Sequence, residues 1–309
     1  MPPRRPSRPS TAGGKRRTTT ADPAAAGATR FAPAPTGYLH LGHVVNALYV
    51  WGLAHATGRR VVLRIEDHDR VRSRPAFDAA LLEDLAWLGF AADEGPYRQS
   101  ADEPVYASTL EVLRFNGLVY ACDCSRATFA AWRADHGAGW TGPGCPGSCR
   151  ERRVREGRGR GLRIALGEGD EAWDDGRLGP QRDAPAREGD LLARDRDGNW
   201  TYPFCVVVDD LRQGIDLVVR GEDLLDATAR QIRLARLLGR AEPAAFYHHP
   251  LVRKAGGAKL SKADGDTAVR ALRDRGRTAA ELLGEAAAAV GLLERSRPLD
   301  RGEVPSLFG

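Results

Sequence analysis

Two histidines separated by two residues, His40 and His43, close the run Arg30-Phe-Ala-Pro-Ala-Pro-Thr-Gly-Tyr-Leu-His-Leu-Gly-His43. At a helix N-terminus the free backbone N–H groups and the positive end of the dipole attract phosphate, and two imidazoles so spaced flank one triphosphate. Gly42 between them allows a nucleotide to approach the backbone closely. Far downstream, Lys259-Leu-Ser-Lys262 stands between Gly256-Gly257 and Asp264-Gly265, which places two lysines in a loop its glycines make mobile. Cations that tighten on departing phosphates as charge builds there lower the barrier to phosphate-releasing chemistry. Each motif alone also fits ordinary surface residues; their order in one chain is what points to nucleotide chemistry.

A third constellation is made of thiols. Cys122, Cys124, Cys145 and Cys149 leave gaps of one, twenty and three residues. Four thiolates complete a closed tetrahedral shell with no open position, so the expected ion is a structural Zn2+. The alternative is four unpaired buried cysteines, but Gly142, Pro143, Gly144, Pro146 and Gly147 make a turn suited to a zinc knuckle. Cys205, inside the apolar run Phe204–Val208, reads as a core residue. Cysteine usage of this kind in 309 residues is no disulfide scaffold and places the chain in a reducing compartment, the cytoplasm.

The elements that must carry these residues follow from periodicity. Thr29-Arg-Phe-Ala-Pro33 reads as a short strand that Pro33 and Pro35 end, and Leu41 to Thr57 repeats apolar residues at helical spacing with Gly58 as its stop. Arg60 to Glu66 reads as a buried parallel strand, and Phe77 to Leu88 as a second amphipathic helix. Phe204–Val208 fits either a buried strand or the start of a core helix; Asp216–Arg220 reads as a strand and Leu224–Leu238 as a helix. The β-α-β-α order predicts an α/β fold with a doubly wound parallel sheet. The expected organisation is a disordered basic leader over 1–28, a first half of the nucleotide-binding domain over 29–120, a zinc-bearing insertion over 121–200, and a second half with a C-terminal helical segment over 201–309.

The 46 Lys+Arg against 41 Asp+Glu give a net charge of +5, which mildly favours an anionic partner. Part of that excess lies in Arg4, Arg5, Arg8, Lys15, Arg16 and Arg17, so the folded body is nearer neutral. No apolar run is long enough to span a membrane, and the prolines at 2, 3, 6 and 9 oppose an amphipathic targeting helix.

Arg30 to His43 resembles the HIGH signature of class I aminoacyl-tRNA synthetases, and Lys259 to Lys262 resembles their KMSKS loop with Leu in place of Met. Leu63-Arg-Ile-Glu-Asp67, Val207-Val-Asp-Asp210 and Val219-Arg-Gly-Glu-Asp223 narrow the resemblance to the glutamyl-tRNA synthetase group. Only 47 residues follow Lys262, which leaves no room for an anticodon-binding domain and directs the resemblance to the group's short branch, the glutamyl-Q tRNA(Asp) synthetases. The resemblance implies a Rossmann-type fold, ATP with Mg2+, L-glutamate as the amino acid, and tRNA(Asp) carrying queuosine as acceptor; a monomer is expected.

It also implies roles. His40, His43, Lys259 and Lys262 would stabilise the phosphates, with Gly42 beside the nucleotide. Arg30 and Arg220 match positions contacting the ligand's carboxylates, Glu66 the acid facing its ammonium, and Tyr202 a pocket tyrosine; Phe31, Ala32, Pro33 and Ala34 line the amino acid. Three positions depart from the pattern: Ala34 replaces a serine, Val206 a polar pocket residue, and Cys145 a tyrosine. Two rival readings are a truncated synthetase that charges a tRNA 3′ end, and a non-catalytic RNA-binding relative.

Overall fold

The computed structural model describes residues 27–136, 142, 144–252 and 268–309. Lys259 and Lys262, with most of the basic leader, lie outside the described residues.

The first strand, β1 (Ala28–Phe31), leads through the proline-rich turn into α1 (Leu41–Thr57), and β2 (Arg60–Ile65) pairs with it in parallel. Helix α1 has the predicted boundaries, and Gly58 ends it at φ 65°, a left-handed cap favouring glycine. Next come α2 (Pro75–Trp87), β3 (Glu94–Arg98) and α3 (Glu103–Phe115). After a long excursion, α6 (Tyr202–Arg212), β9 (Leu217–Gly221), α7 (Thr228–Leu237) and β10 (Ala245–His249) follow. The ambiguous run Phe204–Val208 is therefore helical, with Pro203 in the first turn of α6 where its missing N–H costs nothing. The helix expected from Leu224 opens as a 3-10 turn, Glu222–Ala227, before α7 begins.

Strands run β3-β2-β1 in one hydrogen-bonded set, and β9, β10, β6 (Glu171–Asp175) and β7 (Gly179–Asp183) in that order in another. A parallel bridge from Ala28 to Ile215, with Asp216 N donating to Ala28 O at 3.0 Å, joins the two sets edge to edge. The resulting order β3-β2-β1-β9-β10 is the Rossmann arrangement, with its reversal between β1 and β9. Side chains alternate across it: Val61, Leu63, Leu217 and Val219 pack with α1, whereas Val62, Val218 and Phe246 pack with Ala229 and Ile232 of α7. Helices thus cover both faces, as doubly wound sheets require.

The stretch between α3 and α6 holds β4 (Val119–Cys122), α4 (Arg126–His136), α5 (Ser148–Glu151), β5 (Gly161–Ile164), β6 (Glu171–Asp175), β7 (Gly179–Asp183) and β8 (Leu191–Arg194). Strands β4, β5 and β8 make a separate antiparallel sheet. The β6–β7 hairpin instead joins the main sheet through Phe246↔Asp175, so the stretch expected to be one insertion contributes to two sheets. Two helices, α8 (Val269–Asp274) and α9 (Ala279–Ala289), follow, and α9 and a final 3-10 segment, Arg301–Leu307, both pack on α1. Among the described residues no helix is long and apolar enough to cross a membrane.

Candidate active site

Parallel strands β1, β2 and β9 end on a cavity of about 670 Å3 beside the N-terminus of α1. Arg30, Ala32, His40, Gly42, His43, Glu66, Tyr202 and Arg220 all line it, so residues dispersed over 190 positions are brought together on one cavity. Strand alternation sorts the run from 30 to 34. Arg30 and Ala32 face the cavity, but the Phe31 ring turns into the core, 5.3 Å from that of Trp51, so Phe31 is no lining residue. Pro33 contributes its backbone: its carbonyl accepts from the Glu66 N–H at 3.0 Å and pins that strand end. Neither Pro33 nor Ala34 lines the cavity, and Val206, within α6, is turned into the core.

His40 is the N-cap of α1 and forms a reciprocal capping box with His43. His40 Nδ1 accepts from Gly42 N, and His43 Nδ1 accepts from His40 N, both at 3.1 Å. Because both Nδ1 atoms accept, the proton of each neutral ring sits on Nε2, which makes both imidazoles donors. A Cβ at Gly42 would lie 2.9 Å from His40 Cε1, so glycine is required to seat that ring. The segment carrying Lys259 and Lys262 is flanked by Val252, which lines the cavity, and by Ala268, which bridges to His40.

A buried ionic cluster underlies the cavity. Arg30 Nε reaches Asp210 at 3.2 Å and Arg30 Nη1 donates to Val219 O, so part of this guanidinium is committed to the protein. Arg64 gives its closest contact to Asp210, at 2.5 Å, and stands 3.8 Å from Glu66. Glu66 is consequently the least compensated acid, and burial pushes its carboxyl up to about 7, against the opposing pull of Arg64 and Arg30. Arg220, 4% exposed, donates to His248 Nε2 at 3.0 Å, Gln231 Oε1 at 2.5 Å and Thr228 Oγ1 at 2.8 Å. These acceptors are neutral side chains, and among the described residues no carboxylate lies within ion-pair distance of Arg220. A planar cation with no counter-ion among the described residues, beside an under-compensated acid, suits a ligand bearing both a carboxylate and an ammonium.

Arg64 and Asp210 lie inside the quoted motifs but were given no role there, and His248 and Gln231 fall outside every motif. A signal existed: a charge inside an apolar run, as in Val-Val-Leu-Arg64-Ile or Val-Val-Val-Asp-Asp210, needs a buried partner.

The four thiols lie away from this cavity. Cys122 ends β4, Cys149 lies in α5, and Cys145 bridges to Asp190; all are buried and none forms a disulfide. Their Sγ atoms lie within 4.8 Å of one another, with Cys124 at 3.3 Å from Cys149 and 3.9 Å from Cys145. Sulfurs on a tetrahedral zinc stand about 3.8 Å apart, from Zn–S bonds of about 2.3 Å. The donor set fits a closed zinc shell, and Cys205 is a core residue beside Phe204.

A Rossmann-ordered sheet with a His-x-Gly-His helix start and a buried arginine facing it defines a class I synthetase catalytic fold. The chain belongs to the family described as "tRNA synthetases class I (E and Q), catalytic domain", which matches residues 28–284. It is 42% identical to a protein of Symbiobacterium thermophilum named glutamyl-Q tRNA(Asp) synthetase, over 90% of this chain and 91% of that one. A protein of the same name from Rhodobacter capsulatus is 40% identical over 82% of this chain and 97% of its own length. Among solved structures, a glutamate tRNA ligase from Elizabethkingia meningosepticum in complex with its amino acid superposes with a TM-score of 0.65 at 29% identity. That match covers 78% of this chain and 52% of the ligase, so the chain spans about half the length of that protein.

Proposed function

We propose that the protein activates L-glutamate with ATP and transfers it to queuosine in the anticodon of tRNA(Asp). The observation that carries the first half is the cavity, where, among the described residues, Arg220 has no carboxylate at ion-pair distance and Glu66 has its nearest guanidinium at 3.8 Å, both beside the nucleotide-binding end of α1. Glutamate supplies what each lacks: a carboxylate for Arg220, and an ammonium for Glu66. Tyr202, the partly committed Arg30 and the backbone around Ala32 complete the amino-acid site.

The glutamate α-carboxylate attacks the α-phosphorus of ATP; a glutamyl-adenylate forms and pyrophosphate leaves, with no covalent enzyme intermediate. His40 and His43 donate from Nε2 to phosphate oxygens, the α1 dipole adds to them, and Gly42 lets the nucleotide lie against the backbone. Mg2+ bound with ATP would neutralise phosphate charge. Lys259 and Lys262 would close on the departing pyrophosphate. In the second step a queuosine hydroxyl displaces AMP from the adenylate and forms an ester.

A Zn2+ held by Cys122, Cys124, Cys145 and Cys149 would be structural, since four thiolates leave it no open position. The acceptor is supported by the names of relatives matched along nearly their whole length. Acylation of tRNA(Asp) with and without queuosine, before and after enzymatic removal of the 3′-terminal adenosine, tests it. Labelling that survives the trimming and needs queuosine supports this reading. Labelling lost on trimming indicates 3′-end charging, and absence of glutamate-dependent pyrophosphate exchange indicates a non-catalytic RNA-binding protein.

A further inference from the structure

Arg220, His248 and Asp175 stand side by side across three neighbouring strands. His248 on β10 is the register partner of Arg220 on β9, and Asp175 ends β6 on the other side of β10. His248 Nδ1 lies 2.6 Å from Asp175 Oδ2, while His248 Nε2 accepts from Arg220 Nε at 3.0 Å. All three side chains are buried. Asp175 is itself held, because its Oδ1 takes the backbone N–H groups of Arg177 and Leu178, each at 3.0 Å.

We infer that Asp175 and His248 are positioning residues for amino-acid recognition: Asp175 fixes the His248 tautomer, and His248 holds the Arg220 guanidinium in place without neutralising it. The inference rests on the glutamate-activating reading above. Its physical core is the distinction between a neutral and an anionic acceptor. A carboxylate bonded directly to Arg220 would compete with the ligand's carboxylate, whereas an imidazole accepts one N–H and leaves the charge to the cavity. The acid is needed one step further out, to draw the ring proton to Nδ1 and keep the Nε2 lone pair turned to Arg220. Burial and the neighbouring Arg220 push His248 down to about 4, which keeps the ring neutral near pH 7. Thr228 and Gln231 take one N–H from each terminal nitrogen, so the guanidinium plane is fixed along three edges.

Asp175→Asn is nearly isosteric but presents N–H to the ring, which reverses the tautomer and sets Nε2–H against Arg220 Nε–H. Pyrophosphate exchange with this variant should show KM for glutamate raised at least tenfold, KM for ATP within twofold of wild type, and a reduced preference for glutamate over glutamine. His248→Gln, which retains an acceptor oxygen, should recover at least tenfold of what His248→Leu loses in kcat/KM for glutamate; this comparison carries the test should Asp175→Asn not fold. Unchanged glutamate KM in a folded variant, a parallel rise for ATP, or equal loss in the Gln and Leu variants would overturn the inference. A wild-type chain inert toward glutamate would overturn the activation reading and this one with it, whereas an active wild type with those outcomes overturns only the positioning role.

Discussion

Glu66 and Arg220 carry opposite unmet charges, and each makes a distinct prediction. Burial raises Glu66 from 4.5 to about 7, so its protonated form favours the ligand-free fold. That contribution is complete below about pH 4.5 and is lost as pH rises through about 7. An ammonium from glutamate favours the ionised form, so its binding should strengthen about tenfold between pH 6 and pH 8, the change in ionised fraction around such a midpoint. The thermal shift induced by glutamate should therefore be larger at pH 8, and Glu66→Gln should flatten the dependence. Arg220→Ala leaves a carboxylate without its cation in a partly dry pocket, a loss of about 2 to 5 kcal/mol in activation with glutamate and less with glutamine. A surface ion pair would cost under about 1 kcal/mol. Arg220→Lys should recover only part, because an ammonium lacks the planar fork; pyrophosphate exchange across both amino acids measures all three. Arg220, Glu66 and the two histidines were legible because they sit in ordered motifs. His248 was not, since a histidine in a strand is indistinguishable from a core residue until β6 is seen to bring Asp175 beside it.

At the scale of elements, α1 was the most legible because its apolar period, cap and stop agree, and it is also where a small change should be most selective. Gly42→Ala would drive a Cβ against the His40 ring, disturb the capping box, and raise KM for ATP while sparing KM for glutamate in steady-state exchange. The four-thiol cluster, whose donor set fits zinc, was legible from thiol spacing. Freshly purified protein should contain one zinc per chain, and Cys149→Ser or chelation should lower the melting temperature and impair transfer to tRNA more than activation; metal analysis and the two assays decide it. Helix α6 was ambiguous for a physical reason: a run buried on all sides loses the contrast that reveals periodicity. The β6–β7 hairpin was invisible because its partner, β10, lies some 70 residues further on. No local pattern records which sheet a short strand will join.

For the whole molecule, the alternation of strand and helix was enough to predict the doubly wound sheet, whereas the junction between its halves depends on two residues far apart. Ala28 N donates to Asp216 Oδ1 at 3.0 Å and Ala28 O accepts from Asp216 N, across 188 positions of chain. This long interval governs how the protein is born. At about 5 to 20 residues per second, a ribosome needs on the order of 10 to 40 s to make the stretch separating the two residues. Throughout that interval one edge of β1 has its backbone donors and acceptors unmatched, the condition in which strands pair with the wrong chain. A nascent polypeptide stopped after Gly214 should accordingly precipitate or remain bound to chaperones, whereas one released after β10 should become protease-resistant, as pulse proteolysis of stalled chains would measure.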